Sequence, residues 1–205
     1  MVPSGLIAVV RAATVSECST IVRGLVKAGV PAIEVTMTVP DAPAVIAELA
    51  GSGAIVGAGT VLDPDSCRRC IDAGARFIVS PVTDAAVLEQ AHQAGVPYIG
   101  GALTPTEVVA SMRAGADAIK LFPIGAVGGV AYLRALREPL PDLRAVISGG
   151  MTVGDAAGYL GAGAHAICLG GALIDRDAAR RGDTDAVEGK ARLVLGDLKE
   201  ALAQC

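Results

Sequence analysis

The chain has 205 residues, 52% of them hydrophobic but only 2% aromatic, and a formal net charge of -4. That length suits one domain, residues 1–205, with a full core built from Val, Ile, Leu and Ala rather than from rings. The acidic balance argues against a nucleic-acid-binding face, and no apolar run approaches the ~20 residues of a membrane helix, so neither a nucleic-acid nor a membrane partner is expected.

Taken in chain order, the first apolar run centres on Ile7 and reads as a strand that ends at Arg11. It lacks a basic leader and is too short for a secretory signal, so a cytoplasmic protein is expected. Ser16 to Lys27 carries a helical stripe of Ile21, Val22, Leu25 and Val26. A short phrase then begins, Ala28-Gly29-Val30-Pro31-Ala32-Ile33-Glu34, and runs as a strand to Thr36 and Thr38. Asp41 is a helix-start signal, and a third strand near Ile55 runs into Gly57-Ala58-Gly59-Thr60. Asp63-Pro64 starts a helix that contains Cys67-Arg68-Arg69-Cys70. The phrase returns as Ala73-Gly74 leading to Phe77-Ile78-Val79, followed by Ser80-Pro81.

After a helix over Asp84 to Gln93, the phrase recurs as Ala94-Gly95 leading to Tyr98-Ile99-Gly100. Thr104-Pro105 caps a helix over Pro105 to Arg113, and Ala114-Gly115 leads to Ala118-Ile119-Lys120-Leu121-Phe122-Pro123. A helix over Gly129 to Arg137 precedes a strand near Val146 that ends in Ser148-Gly149-Gly150, and Thr152 signals the next helix. The phrase appears last as Ala162-Gly163 leading to Ala166-Ile167-Cys168 and ends in Gly170-Gly171. Asp175 to Asp185 is charged and reads as a loop, and Ala186 to Ala203 reads as a closing helix.

The repeat has a simple physical meaning. A glycine after a helix takes the left-handed C-terminal cap, and a short loop then enters a strand. Strands alternating with helices imply a parallel sheet, and near-continuous apolar strands imply burial on both faces. About eight such units in a chain of this length predict an α/β fold, a single-domain (β/α)8 TIM barrel. An open doubly wound sheet is the alternative, but the first strand is not followed by a dinucleotide-type glycine-rich turn.

Lys120 lies in an otherwise apolar strand, where lysine is rarely found without a reason. Loss of hydration there is expected to push its pKa down toward a neutral, nucleophilic amine suited to Schiff-base chemistry. Glu34 holds the same place in its own repeat. Side chains alternate faces along a strand, so Glu34 and Lys120 are predicted to face the barrel axis together, with the small residues Val79, Gly100 and Cys168 at equivalent places. Active sites of such barrels sit at the C-terminal strand ends, and phosphate commonly binds after the seventh and eighth strands. Gly149-Gly150 and Gly170-Gly171 fall there and are expected to let backbone N–H groups approach an anion. Arg11 is a candidate carboxylate or phosphate ligand, or a structural partner of a loop acid.

Five cysteines, Cys18, Cys67, Cys70, Cys168 and Cys205, give an odd count that argues against a disulfide framework. The C-x-x-C spacing lacks a second Cys/His pair and reads as a coincidence on a helix surface. His92 and His165 read as structural or solvated, and no metal motif is present.

In one order, Glu34-Val35-Thr36, Gly57-Ala58-Gly59-Thr60-Val61-Leu62, Ser80-Pro81, Lys120-Leu121-Phe122-Pro123 and Gly149-Gly150 resemble the bacterial 2-keto-3-deoxy-6-phosphogluconate (KDPG) and 4-hydroxy-2-oxoglutarate (KHG) aldolase family. The resemblance implies a metal-free class I aldolase with no cofactor, a (β/α)8 barrel, a homotrimer and a small 2-oxo acid substrate. It implies Lys120 as the Schiff-base lysine and Glu34 as the general acid/base. Thr60 would orient the pyruvyl carboxylate, Pro81 would wall the pocket and Phe122 would pack beside the lysine. Gly149, Gly150, Gly170 and Gly171 would form the phosphate end. Two positions depart from the family. Thr38 stands where one branch has a carboxylate-gripping arginine, which Arg11 would replace, and Gly170-Gly171-Ala172 lacks the serine hydroxyl common in that turn. A phosphosugar isomerase or epimerase using Lys120 and Glu34 as an acid/base pair, and a non-catalytic sugar-phosphate-binding barrel, are the alternatives.

Overall fold

The computed structural model describes residues 1–203, so Cys205 lies outside the described residues. The strands are β1 Gly5–Val10, β2 Ala32–Thr36, β3 Ile55–Gly59, β4 Ile78–Val79, β5 Tyr98–Ala102, β6 Ala118–Leu121, β7 Ala145–Ile147 and β8 Ala166–Leu169. Each pairs parallel with the next, and β8 pairs with β1, which closes the barrel and leaves no open sheet. The helices are α1 Val15–Lys27, α2 Ala42–Glu48, α3 Pro64–Asp72, α4 Ala85–Gln93, α5 Pro105–Ala114, α6 Gly129–Arg137, α7 Ala156–Gly161, α8 Arg176–Arg180 and α9 Thr184–Ala203. Helix α9 closes the ring against α1, where Gly24 brings the helices together: a Cβ there would meet Val187 Cγ1 at 2.6 Å.

Local chemistry explains most boundaries. The side chains of Asp63, Asp84 and Thr104 accept the N3 backbone N–H of α3, α4 and α5. Thr104 and Glu107 form a reciprocal capping box. The repeat glycines Gly29, Gly74, Gly95, Gly115 and Gly163 all have positive φ, as the left-handed cap reading requires.

Two boundary expectations, Thr152 and the 175–185 loop, are corrected, and Asp41 holds its expected place without capping. Thr152 does not start α7; its N–H and hydroxyl both donate to Asp155, which stands before the helix. Asp41 precedes α2 but makes no side-chain cap bond and has φ 49°. The charged stretch 175–185 is not a loop throughout: Asp175 caps the short helix α8, and α9 begins at Thr184. Ala178 and Ala179 on α8 are buried, which supplies the apolar anchor that its charge pattern hides.

The apolar residues fall into two bodies. The larger lies between strands and helices and includes Ile33, Ile78, Ile119 and Ile167. The smaller fills the barrel with Ile7, Val9, Ala32, Phe77, Val79, Ile99, Ala118, Val146, Ala166 and Cys168. Each fully buried Ile or Phe in these bodies contributes about 1.5–3 kcal/mol. No helix of the described residues is long and apolar enough to cross a membrane.

Candidate active site

The interior is layered by alternate strands, the arrangement expected of an eight-stranded barrel. On β2, β4, β6 and β8 the residue before the repeat's Ile points inward, giving Ala32, Phe77, Ala118 and Ala166. The residue after it also points inward, giving Glu34, Val79, Lys120 and Cys168. Strand β5 has the opposite parity. Tyr98 joins the outer body, Ile99 the inner one, and a Cβ on Gly100 would point at the Ser111 and Thr83 hydroxyls. The expected inward Gly100 is therefore corrected, and Gly101, paired with Lys120 in register, takes the inward place. The cause is the Tyr98 hydroxyl, which is satisfied outside the barrel, where it donates to Val82 O and accepts from Asp84 N.

Lys120 Nζ stands 3.7 Å from Glu34 Oε1, with the two side chains 3% and 0% exposed. That separation is an ion-pair distance but too long for a hydrogen bond. Neither carboxylate oxygen of Glu34 has a hydrogen-bond partner among the described residues. Buried carboxylates are normally hydrogen-bonded, so one that no protein group partners is a candidate functional group. Lys120 Nζ also lies 5.6 Å from the centroid of the Phe122 ring, which limits its directions of approach.

Glycines shape the space around the pair. A Cβ on Gly57 would meet the Phe77 ring at 2.5 Å, and one on Gly59 would meet Glu34 Oε1 at 1.9 Å. A Cβ on Gly101 would lie 2.0 Å from the Pro81 carbonyl carbon, so β5 can approach the β4 end only as glycine. Gly59→Ala should displace the flexible carboxylate rather than the strand. A misplacement of about 1 Å costs roughly 10²-fold in rate, while overpacking costs about 1–3 kcal/mol of stability. Turnover measured beside thermal unfolding would show a folded enzyme with depressed kcat; unchanged kcat would mean that Glu34 placement does not matter.

The other expected site residues lie just after the C-terminal ends of the strands. Thr60 follows β3 with φ 58°, a genuine outlier for a β-branched residue and a mark of a constrained position. Pro81 and Phe122 share the wall of a cavity of about 500 Å³ that extends to Glu107, Ala110 and Ala114 of α5 and is not lined by Lys120 or Glu34. Gly149 approaches Phe122 and Pro123, and Gly150 approaches Gly125, so both glycines also serve packing. A Cβ on Gly170 would be 3.3 Å from Val9 O, whereas Gly171 faces open space. Arg11 is exposed directly after β1. Thr38, also exposed, shares a 2.7 Å hydroxyl contact with Thr36, which donates to Val10 O.

Cys168 completes the Glu34–Lys120 layer. Burial and then the Glu34 charge push its thiol up to about 12, against the opposing effects of Lys120, Ser148 and Arg11. It stays protonated and does not compete as a nucleophile. Cys67 and Cys70 are not on the exposed surface of their helix, as expected from sequence, but on the buried face of α3. Burial raises their thiols to about 12 and about 11, which suits packing rather than redox exchange. His92 pairs with Asp117, which also accepts from Tyr98 N at the opposite end of the barrel. Gly59, Gly101 and Cys168 were not singled out as site residues; for Gly101 the hidden signal was the parity switch at Tyr98.

The chain is similar to known proteins. A family model described as KDPG and KHG aldolase matches residues 2–189. The KHG/KDPG aldolase of Escherichia coli (strain K12) is 36% identical over 173 residues, 83% of this chain and 81% of that protein. The probable 2-dehydro-3-deoxy-6-phosphogalactonate aldolase of Rhizobium meliloti (strain 1021) is 36% identical over 172 residues, 82% of this chain and 81% of that protein. A solved structure described as native KDPGal superposes with a TM-score of 0.84 at 30% identity, covering 97% of this chain and 96% of that one.

Proposed function

Because this chain belongs to the KDPG and KHG aldolase family, a family of carbon–carbon lyases, we propose that it cleaves 2-oxo-4-hydroxy acids to pyruvate and an aldehyde through a Schiff base on Lys120. The observation that carries this reading is the buried Lys120–Glu34 pair with its unpartnered carboxylate. KDPG and KHG are the substrate class, with glyceraldehyde 3-phosphate or glyoxylate as the aldehyde.

The proposed steps use the Lys120–Glu34 pair. The Lys120 amine attacks the C2 ketone, forming a C–N bond, while Glu34 moves a proton to the former carbonyl oxygen. Loss of water leaves an iminium, which acts as an electron sink. Glu34, as carboxylate, accepts the C4 hydroxyl proton. The C3–C4 bond breaks, its electron pair forms the enamine, and C4 leaves as the aldehyde carbon. Glu34 returns the proton to C3, and hydrolysis of the new iminium releases pyruvate and the free amine. Thr60 and Arg11 are the residues we assign to the pyruvyl carboxylate, with Pro81 and Phe122 as pocket wall. Gly149, Gly150, Gly170 and Gly171 receive the distal end.

The iminium takes up the electrons, so no metal is needed at any step. Pyruvate release from KDPG and KHG, followed through a coupled reduction of pyruvate, should be undiminished after dialysis against a chelator. Loss of activity on chelation, with recovery on adding a divalent ion, would contradict the scheme. The family resemblance also supports a homotrimer; Leu62 and Val82 are large apolar side chains left exposed near the C-terminal strand ends. The four described cysteines are free thiols, which accords with a reducing cytoplasm.

A further inference from the structure

We propose that Arg176 grips the terminal phosphate of the substrate's aldehyde half and so makes the site selective for phosphorylated 2-keto-3-deoxy acids. This rests on the Schiff-base reading above. The turn after β8 reads Gly170-Gly171-Ala172 and offers no side-chain hydroxyl. Gly171 and Ala172 are exposed, and nothing lies within 4 Å of where a Gly171 Cβ would be. Buried Leu173 and Ile174 then anchor the chain, and Asp175 caps α8 by accepting from Ala178 N. Arg176 is thereby set at the rim beside the open turn.

Its guanidinium lies against the chain just after β1, with Nη1 3.5 Å from the carbonyl oxygen of Arg11. That contact is long and engages one donor weakly, so the remaining donors stay available. Nearby acids are already engaged: Asp177 pairs with Arg180, Asp175 holds its cap and Glu17 accepts from Ala13 N. Among the described residues neither Arg11 nor Arg176 forms an ion pair. Two unpaired guanidiniums at the end of β1 and after β8 create a positive rim on an otherwise acidic chain. Arg11 follows β1 directly, at the strand end itself, and is the inner of the two. Arg176 is the outer. In the substrate, the carboxylate sits next to the reacting C2 carbonyl, while the phosphate is carried on C6, the third carbon beyond the cleaved C3–C4 bond. The inner arginine suits the first and the outer the second. A guanidinium matches the planar, bidentate demand of a phosphate better than a lone hydroxyl.

The test measures kcat/KM for KDPG and for its unphosphorylated counterpart with the intact enzyme and with Arg176→Ala and Arg176→Lys. In Arg176→Ala the ratio of the two kcat/KM values should fall about 10- to 100-fold, the size of a lost charge-assisted hydrogen-bond pair. The fall should lie in KM for the phosphorylated acid, and Arg176→Lys should recover part of it. An unchanged ratio, or an equal loss on both substrates, overturns the assignment. Borohydride trapping of pyruvate on the parent enzyme is read separately. A trapped adduct with an unchanged ratio removes only the role of Arg176, whereas no adduct removes the Schiff-base reading beneath it.

Discussion

Lys120→Ala is expected to abolish cleavage, lowering kcat/KM by about 10⁵-fold or more, because removing the nucleophile removes the covalent path itself. The variant also leaves Glu34 buried with neither a counter-charge nor a hydrogen bond, so some loss of stability accompanies it. Lys120→Met separates the two effects. It keeps most of the buried volume, and an unbranched apolar chain is tolerated in such sites. Pyruvate release should vanish in both variants while circular dichroism shows the barrel intact in Lys120→Met. Retention of the full cleavage rate in either would eliminate Lys120 as the nucleophile.

The second large effect is expected for Glu34→Gln. Glutamine keeps the shape and can donate a hydrogen bond, but it neither accepts nor delivers a proton in turnover. The loss should be about 10²–10⁴-fold in kcat, the range for general acid–base catalysis. Lys120 should still be modified by pyruvate and borohydride in this variant, though slowly, because carbinolamine dehydration has lost its proton source. If Glu34 served only as the buried counter-ion of Lys120, thermal stability would fall while kcat of the folded fraction stayed within about threefold. The two measurements together therefore distinguish proton transfer from charge balance.

Much of this arrangement could be read from sequence, and the exceptions have physical causes. The repeated Ala-Gly phrase located the caps because positive φ is cheap only for glycine. The position after Ile correctly placed Glu34 and Lys120 inside the barrel because β2 and β6 share parity. The same rule misplaced Gly100, since β5 supplies a different layer and Tyr98 needed outside partners for its hydroxyl. Cys67 and Cys70 looked like surface residues amid arginines, yet helical geometry turns both toward the core while Arg68 and Arg69 stay exposed. Helix α8 was hidden because its five residues show two charges before two alanines. The steric roles of Gly59 and Gly101 depend on cross-strand approach, which no local pattern records.

The central claim is that Lys120 forms the covalent bond to substrate. The most direct measurement is incubation of the intact protein with pyruvate and borohydride, followed by peptide mass spectrometry. The other lysines, Lys27, Lys190 and Lys199, are all exposed, so adventitious labelling would fall on them. A reduced pyruvyl adduct on the peptide carrying Lys120, and not on the others, is the expected result. A folded protein with no adduct, or with adducts only on the exposed lysines, would contradict the account.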